Sequence, residues 1–149
     1  MEIQTFFLAH KIVGHGDKRN HHARFVAIHT INSKDDSSPI PFSPHYLLLL
    51  RRQSVDSEET AIVRFRLTDA DGHEIQRLKP ETFERRFPKG NKFATTTGHF
   101  EFVLPGEGDY FLEISLDNSP VAAPHTYYFQ VLRKTRTKGF QSKQLTGLS

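Results

Sequence analysis

From Thr97 to Leu132 the side chains alternate in two rows along three successive stretches, and no other feature constrains the fold as strongly. Phe100, Phe102 and Leu104 alternate with His99, Glu101 and Val103. Pro105-Gly106-Glu107-Gly108 supplies a turn, after which Tyr110, Leu112, Ile114 and Leu116 alternate with Phe111, Glu113, Ser115 and Asp117. Asp117-Asn118-Ser119-Pro120 turns the chain again, and Tyr127, Phe129 and Val131 alternate with Tyr128, Gln130 and Leu132. A period of two sends every second side chain to the same face of a strand. The spacing therefore predicts a meander of three antiparallel strands, each with one buried and one solvated face. An all-β domain follows.

A chain of 149 residues suits one domain, and at that size roughly two-thirds of the unfolded surface is buried. Only 36% of the residues are hydrophobic, but 13 Phe and 4 Tyr place that share in large, strand-favouring side chains. There is no cysteine, which excludes disulfides, thiolate metal sites and cysteine nucleophiles. The first ten residues have no positive segment and too short an apolar run for a secretion signal. The longest apolar run, Tyr46 to Leu50, is too short to span a bilayer. The expectation is a soluble cytoplasmic protein without a membrane partner.

The net charge of +3 conceals an asymmetry. Arg133, Lys134, Arg136, Lys138 and Lys143 lie in a final segment without acidic residues. Taking these 5 from the 20 basic residues leaves 15 against 17 acidic ones, so residues 1–132 carry about −2. A domain-wide basic surface for nucleic acid is thereby excluded. The expected organisation is a β-sandwich over 1–132 and a basic tail over 133–149.

Ile3 to Val13 reads as a strand with Phe6, Leu8, His10 and Ile12 on one face. Gly14 to Asn20 reads as a glycine-rich polar loop and Ala23 to Ile31 as a returning strand. Asn32 to Pro44 is a long connection whose Pro39, Pro41 and Pro44 oppose a central strand. Tyr46 to Leu50, apolar in both rows, reads as a central strand covered on both sides. In Thr60 to Thr68, Ala61, Val63, Phe65 and Leu67 form one row, and Asp69-Ala70-Asp71-Gly72 turns the chain into a partner strand over His73 to Leu78. Pro80 to Phe87 reads as one helical turn with Phe83 and Phe87 on one face, and Lys89 to Thr96 as a loop. The count comes to about eight strands with turn spacing typical of a sandwich.

Four groups of residues could carry chemistry. His10, His15, His21 and His22 with Asp17 could bind a metal, but their spacing matches no established ligand pattern, and His10 and His29 also suit a core position. Asp69-Ala70-Asp71-Gly72 opens like a calcium loop, yet the fifth and twelfth places hold His73 and Pro80, so a turn is the better reading. Arg77, Lys79, Arg85, Arg86, Lys89 and Lys92, interleaved with Phe83, Phe87 and Phe93, could meet phosphates and bases. The tail, with Phe140 and Leu145 among its cations, could dock on an acidic partner. Nucleophile-elbow, P-loop and dinucleotide motifs are absent, so no catalytic, metal or cofactor-binding residue is assigned.

The segments Phe6-Phe7-Leu8-Ala9-His10, Pro44 to Leu50, Arg64 to Gly72 and Leu104 to Tyr110 together resemble a group of small bacterial β-sandwich proteins of unknown function. The resemblance covers roughly 3–132 and implies an immunoglobulin-like fold in a bacterial or phage setting, with no catalytic residue carried over. The reading is therefore an antiparallel Greek-key immunoglobulin-like sandwich that binds a protein partner through its loops, an edge strand or the tail. Nucleic-acid binding through the tail and the 77–92 cluster is the first alternative, and a metal- or sugar-binding sandwich the second. Phe111, Tyr128 and Leu132 fall on the face opposite the main apolar row, with Arg85, Arg86, Arg133, Lys134, Arg136 and Lys138 as the other partner-binding candidates. The expectation is that residues 79–96 or the tail fold over the three apolar side chains.

Overall fold

The alternating rows at 46–50, 60–68, 100–104, 110–116 and 127–131 all become strands. The computed structural model describes residues 1–10, 13–17, 20–24, 27–33, 39–117 and 124–133, with the backbone alone for 13–17 and 20–24. Among these residues there are thirteen strands and no helix. One sheet joins β1 (Glu2–Ala9), β6 (His45–Arg51) and β10 (Phe93–His99) in the order β1-β6-β10. A larger sheet has the order β4-β13-β12-β7-β9, from β4 (Thr30–Ser33), β13 (His125–Arg133), β12 (Gly108–Leu116), β7 (Glu59–Asp69) and β9 (Thr82–Phe87). A short sheet pairs β5 (Ile40–Phe42) and β8 (Leu78–Lys79) on either side of β11 (Glu101–Leu104). β2 (Val13–Asp17) and β3 (Asn20–Arg24) form a hairpin. All strand pairs are antiparallel except β4 with β13.

The core lies between the two main sheets. Phe6, Leu8, Tyr46, Leu48 and Leu50 of the smaller sheet meet Val63, Phe65, Leu67, Leu112, Ile114 and Phe129 of the larger one. Phe100, fully buried, packs at 4.6 Å from Tyr46 and 4.7 Å from Phe65, ring centre to ring centre, and bridges the layers. Removing side chains of this size from water stabilises by roughly 1.5–3 kcal/mol each. The tie of Tyr127 OH to the carbonyl of Ile28 satisfies a hydroxyl that burial would otherwise penalise.

Several expectations are corrected. The stretch 97–132 is not a three-strand meander: β12 pairs with β13, but β11 pairs with β5 and β8 in another sheet. The turn at 105–107 therefore carries the chain between sheets. Tyr110 OH braces it, donating to Gly106 O at 2.6 Å. Residues 80–87 form no helical turn, because β9 pairs with β7 from Glu59↔Phe87 to Arg64↔Thr82. The second half of the loop expected at 89–96, residues 93–96, is the start of β10. Gly14 to Asn20 is largely hairpin, and the strand expected over 23–31 is split between β3 and β4. His73 to Leu78 makes only an isolated bridge, Thr68↔Glu74, while the lasting partners of β7 are β9 and β12. Leu47 and Leu49 are half-buried, so β6 is central but fully covered on one face only. His10 and His29 are exposed rather than core residues. Pro41 sits in β5, at a sheet edge where a missing N–H is tolerated.

Arg52 fixes the end of the sandwich where β6 meets the loops at 53–58 and 88–92. It is 2% exposed, and its guanidinium donates to the carbonyls of Asn91 (2.7 Å), Ser57 (2.7 Å) and Pro88 (2.8 Å). Its charge lies 5.2 Å from the centre of the Phe87 ring and 3.7 Å from Glu59. A buried cation is tolerated where donors and charge are both answered, and here both are.

Candidate functional site

The outer face of the five-stranded sheet is the strongest candidate. Its central part is laced by ion pairs: Arg64 with Asp117 (2.9 Å), and Arg66 with Glu113 (3.4 Å) and Glu74 (3.7 Å). At the far side Arg86 pairs with Glu58 at 2.6 Å. The bond from Arg64 is the main cause holding the Asp117 carboxyl below the usual range. Such a face is well solvated. The exception is one corner, where β12 and β13 carry Phe111, Tyr128 and Leu132.

Phe111 stands directly opposite Tyr128 on β13 and Thr68 on β7. The two rings meet at 5.5 Å and 47°, an offset contact typical of aromatic pairs. Tyr128 remains 44% exposed and Leu132 41%, while Phe111 is half-buried. Leu132 lies four residues further along the strand, about 13 Å away. Tyr128 OH donates to Asp109 Oδ1 at 2.7 Å, and this bond is the main reason its phenol titrates above the ordinary value. The bond also fixes the ring's tilt, so the corner presents a preset aromatic surface with one polar edge. Residues 79–96 do not cover it: they form β9, at the opposite edge of the sheet, and β10, in the other sheet. Among the described residues the expected cover is missing, and for the tail that expectation lies outside them. Sequence reasoning missed Asp109, although the pairing of Phe111 with Tyr128 already makes Asp109 a diagonal neighbour.

The basic candidates are dispersed. Arg85 falls in the inward row of β9 with Phe83 and Phe87, and its Nε is buried without a hydrogen-bond partner. Arg86 points outward to Glu58. Arg77 and Lys79 line a groove of about 490 Å³ with Glu81 and Glu101, which balance their charge. Phe83 stacks on Phe65 at 5.6 Å and Phe87 is fully buried, so both anchor the segment; Phe93 is 52% exposed. Arg133 ends β13, and its backbone N–H donates to Glu107 at 3.2 Å. Lys134, Arg136 and Lys138 lie outside the described residues.

The Asp69 turn is built as a turn. Asp69 Oδ1 accepts the backbone N–H groups of Asp71 and His73, both at 2.9 Å, and the latter bond chiefly lowers its pKa. Gly72, at φ 82°, supplies the left-handed residue the turn requires. Asp69, Asp71 and His73 offer three ligand atoms within 4.8 Å of one another, beside a hollow of about 320 Å³ that also touches Glu107 and Asp109. The carboxylates of Asp69, Glu107 and Asp109 already accept bonds from His73, Arg133 and Tyr128. Of the histidine group, His10 packs edge-on against Phe42 at 6.2 Å. His15 is opposite His22 in the hairpin, where side chains lie outside the described residues.

The sequence matches no known protein family and no curated protein. Three solved structures are similar at a low level. The periplasmic chaperone SfaE gives a TM-score of 0.41 at 8% identity, over 73% of this chain and 56% of that one. A family 123 glycoside hydrolase from Clostridium perfringens gives 0.40 at 15%, over 74% and 24%. The apo form of the Calx CBD1 domain gives 0.35 at 11%, over 70% and 91%. The chain thus spans about half the length of the chaperone and a quarter of the hydrolase. Likeness this weak assigns no family and no activity.

Proposed function

We propose that the chain is a Greek-key, immunoglobulin-like sandwich that acts as a non-enzymatic module and binds a protein partner through the corner formed by Phe111, Tyr128 and Leu132. One observation carries the reading: two large apolar side chains, Tyr128 and Leu132, stay 44% and 41% exposed on a face otherwise laced with ion pairs. A rigid aromatic with a polar tip makes a good anchor, because it loses little conformational freedom on binding. The brace from Tyr110 to Gly106, four residues upstream at an inter-sheet turn, resembles the tyrosine corner of such sandwiches and supports the topology. The bacterial setting rests on the sequence resemblance.

Capture from a lysate of the source cell tests this. The wild-type chain should retain a partner that the Tyr128→Ala/Leu132→Ala variant loses, while the variant stays folded and loses about 1–2 kcal/mol, mostly from the Phe111–Tyr128 contact. Equal capture by both proteins, or turnover in a substrate screen without a captured partner, would sink the proposal.

A further inference from the structure

Strand β10 is an edge that lacks every protection the other edges carry. An edge presents a row of unpaired N–H and C=O groups, which natural sheets blunt with charge, proline, bulges or brevity. β1 has Glu2 and a register break between Ile3 and Thr5, and the carbonyl of Leu8 accepts the N–H of Ile28. β9 carries Glu84, Arg85 and Arg86, and β5 contains Pro41. β4 has four residues, and β8 has two and runs into Pro80. β10 reads Phe93-Ala94-Thr95-Thr96-Thr97-Gly98-His99: seven residues, four of them β-favouring, with no carboxylate, lysine, arginine or proline.

The phase of its ladder is fixed by two bonds that flank it, Arg52 N–H to Lys92 O at 2.9 Å and Phe100 N–H to Pro44 O at 2.8 Å. In the register Ala94↔Leu50 and Gly98↔Tyr46, the even-numbered residues therefore exchange hydrogen bonds with β6. Phe93, Thr95, Thr97 and His99 direct their N–H and C=O groups the other way, where no described strand pairs with them. The side chains of the same four residues are exposed.

We propose that β10 pairs antiparallel with β10 of a second copy of this chain, about a two-fold axis at Thr95. The spacing is self-matching: Phe93 falls opposite Thr97 of the second copy, Thr95 opposite its own counterpart, and Thr97 opposite Phe93. All three are outward-directed positions, so each pair exchanges two N–H···O bonds, and the two smaller sheets join into one of six strands. A two-fold contact places identical charges near each other, and a strand without charge avoids that repulsion. The pairing also covers Phe93, which is 52% exposed, and it extends the outer surface where half-buried Leu49 stands beside Thr95. Five residues of strand bury little area, so the dimer belongs to the weak, concentration-dependent class. This surface is separate from the Tyr128 corner and does not depend on the function proposed for it.

Sedimentation velocity on the full chain, from about 1 to about 300 μM, tests the pairing. A monomer–dimer equilibrium with a micromolar Kd is expected. Thr95→Pro deletes an N–H that points away from β6, so the fold is kept, as judged by circular dichroism, and the Kd rises about tenfold or more. Thr95→Lys and Thr95→Glu should each weaken self-association, and their equimolar mixture should restore it. A monomer at every concentration overturns the proposal, as does a dimer whose Kd is unmoved by both Thr95→Pro and Thr95→Lys.

Discussion

At the scale of single residues, Arg52 does more for the fold than its exposed counterparts. Arg64, Arg66 and Arg86 each hold a carboxylate at the surface, where such pairs contribute about 0–1 kcal/mol. Arg52 instead closes three backbone carbonyls that the turns at 57, 88 and 91 leave without a strand partner. Replacing it with alanine removes the donors, opens space over Phe87 and takes the guanidinium from the carbonyls of Ser57 and Asn91, while Pro88 O keeps the N–H of Asn91 at 3.1 Å. The expected cost of Arg52→Ala is about 3–5 kcal/mol, read as a lower urea midpoint. Arg52→Lys keeps the charge but not the planar fork, which reaches three carbonyls from one centre, so it should recover only part of that loss. Nothing in the sequence marks Arg52 apart from Arg51, its half-exposed neighbour. The alternation of β6 decides it, since the row of Tyr46, Leu48 and Leu50 continues inward to residue 52.

At the scale of elements, the sequence stated which residues would be inside and left open which strands would touch. Phe100, Phe102, Leu104, Tyr110, Leu112, Ile114, Tyr127, Phe129 and Val131 are all buried, as their alternation requires. Pairing was harder, because a short turn such as Pro105 to Glu107 can close a hairpin or cross between sheets with the same residues. What separates the two outcomes is long-range: the β5–β6 stretch finds the β10–β11 stretch, which turns at Phe100 from one sheet to the next. The 79–96 stretch is ambiguous in sequence for a related reason. Phe83 and Phe87 share a face at a spacing of four in a helix or a strand, and β7, remote in sequence, selects the strand. The corner site was legible as Phe111, Tyr128 and Leu132, whereas its exposure depended on where 79–96 went. Gly98 illustrates pairing at close range. It lies opposite Tyr46, and a Cβ there would overlap the tyrosine ring. Gly98→Ala should therefore cost about 1–3 kcal/mol by overpacking. In a Tyr46→Ala background the added methyl has room, so a double-mutant cycle by chemical denaturation should return a coupling of the same order.

At the scale of the whole molecule, charge is divided between a self-neutralised domain and a basic end. The described arginines of the larger sheet's outer face are matched by Glu58, Glu74, Glu113 and Asp117, and Arg51 by Glu2 at 3.3 Å. Residues 134–149 hold 4 of the 20 basic residues and no acidic one. Without them 16 basic residues face 17 acidic ones, and the net charge moves from +3 to about −1. Any affinity of the chain for polyanions should therefore reside in the tail rather than in the dispersed Arg77, Arg85 and Arg86. Truncation after Arg133 leaves β13 whole, so the fold should survive it. At pH 7 and low salt the full chain should be retained on a cation exchanger or on heparin, and elute steeply with salt as released counterions dictate. The truncated chain should pass through both columns. Retention of the truncated chain with an unchanged elution salt would place the polyanion surface on the sandwich itself and return the 77–92 cluster to consideration.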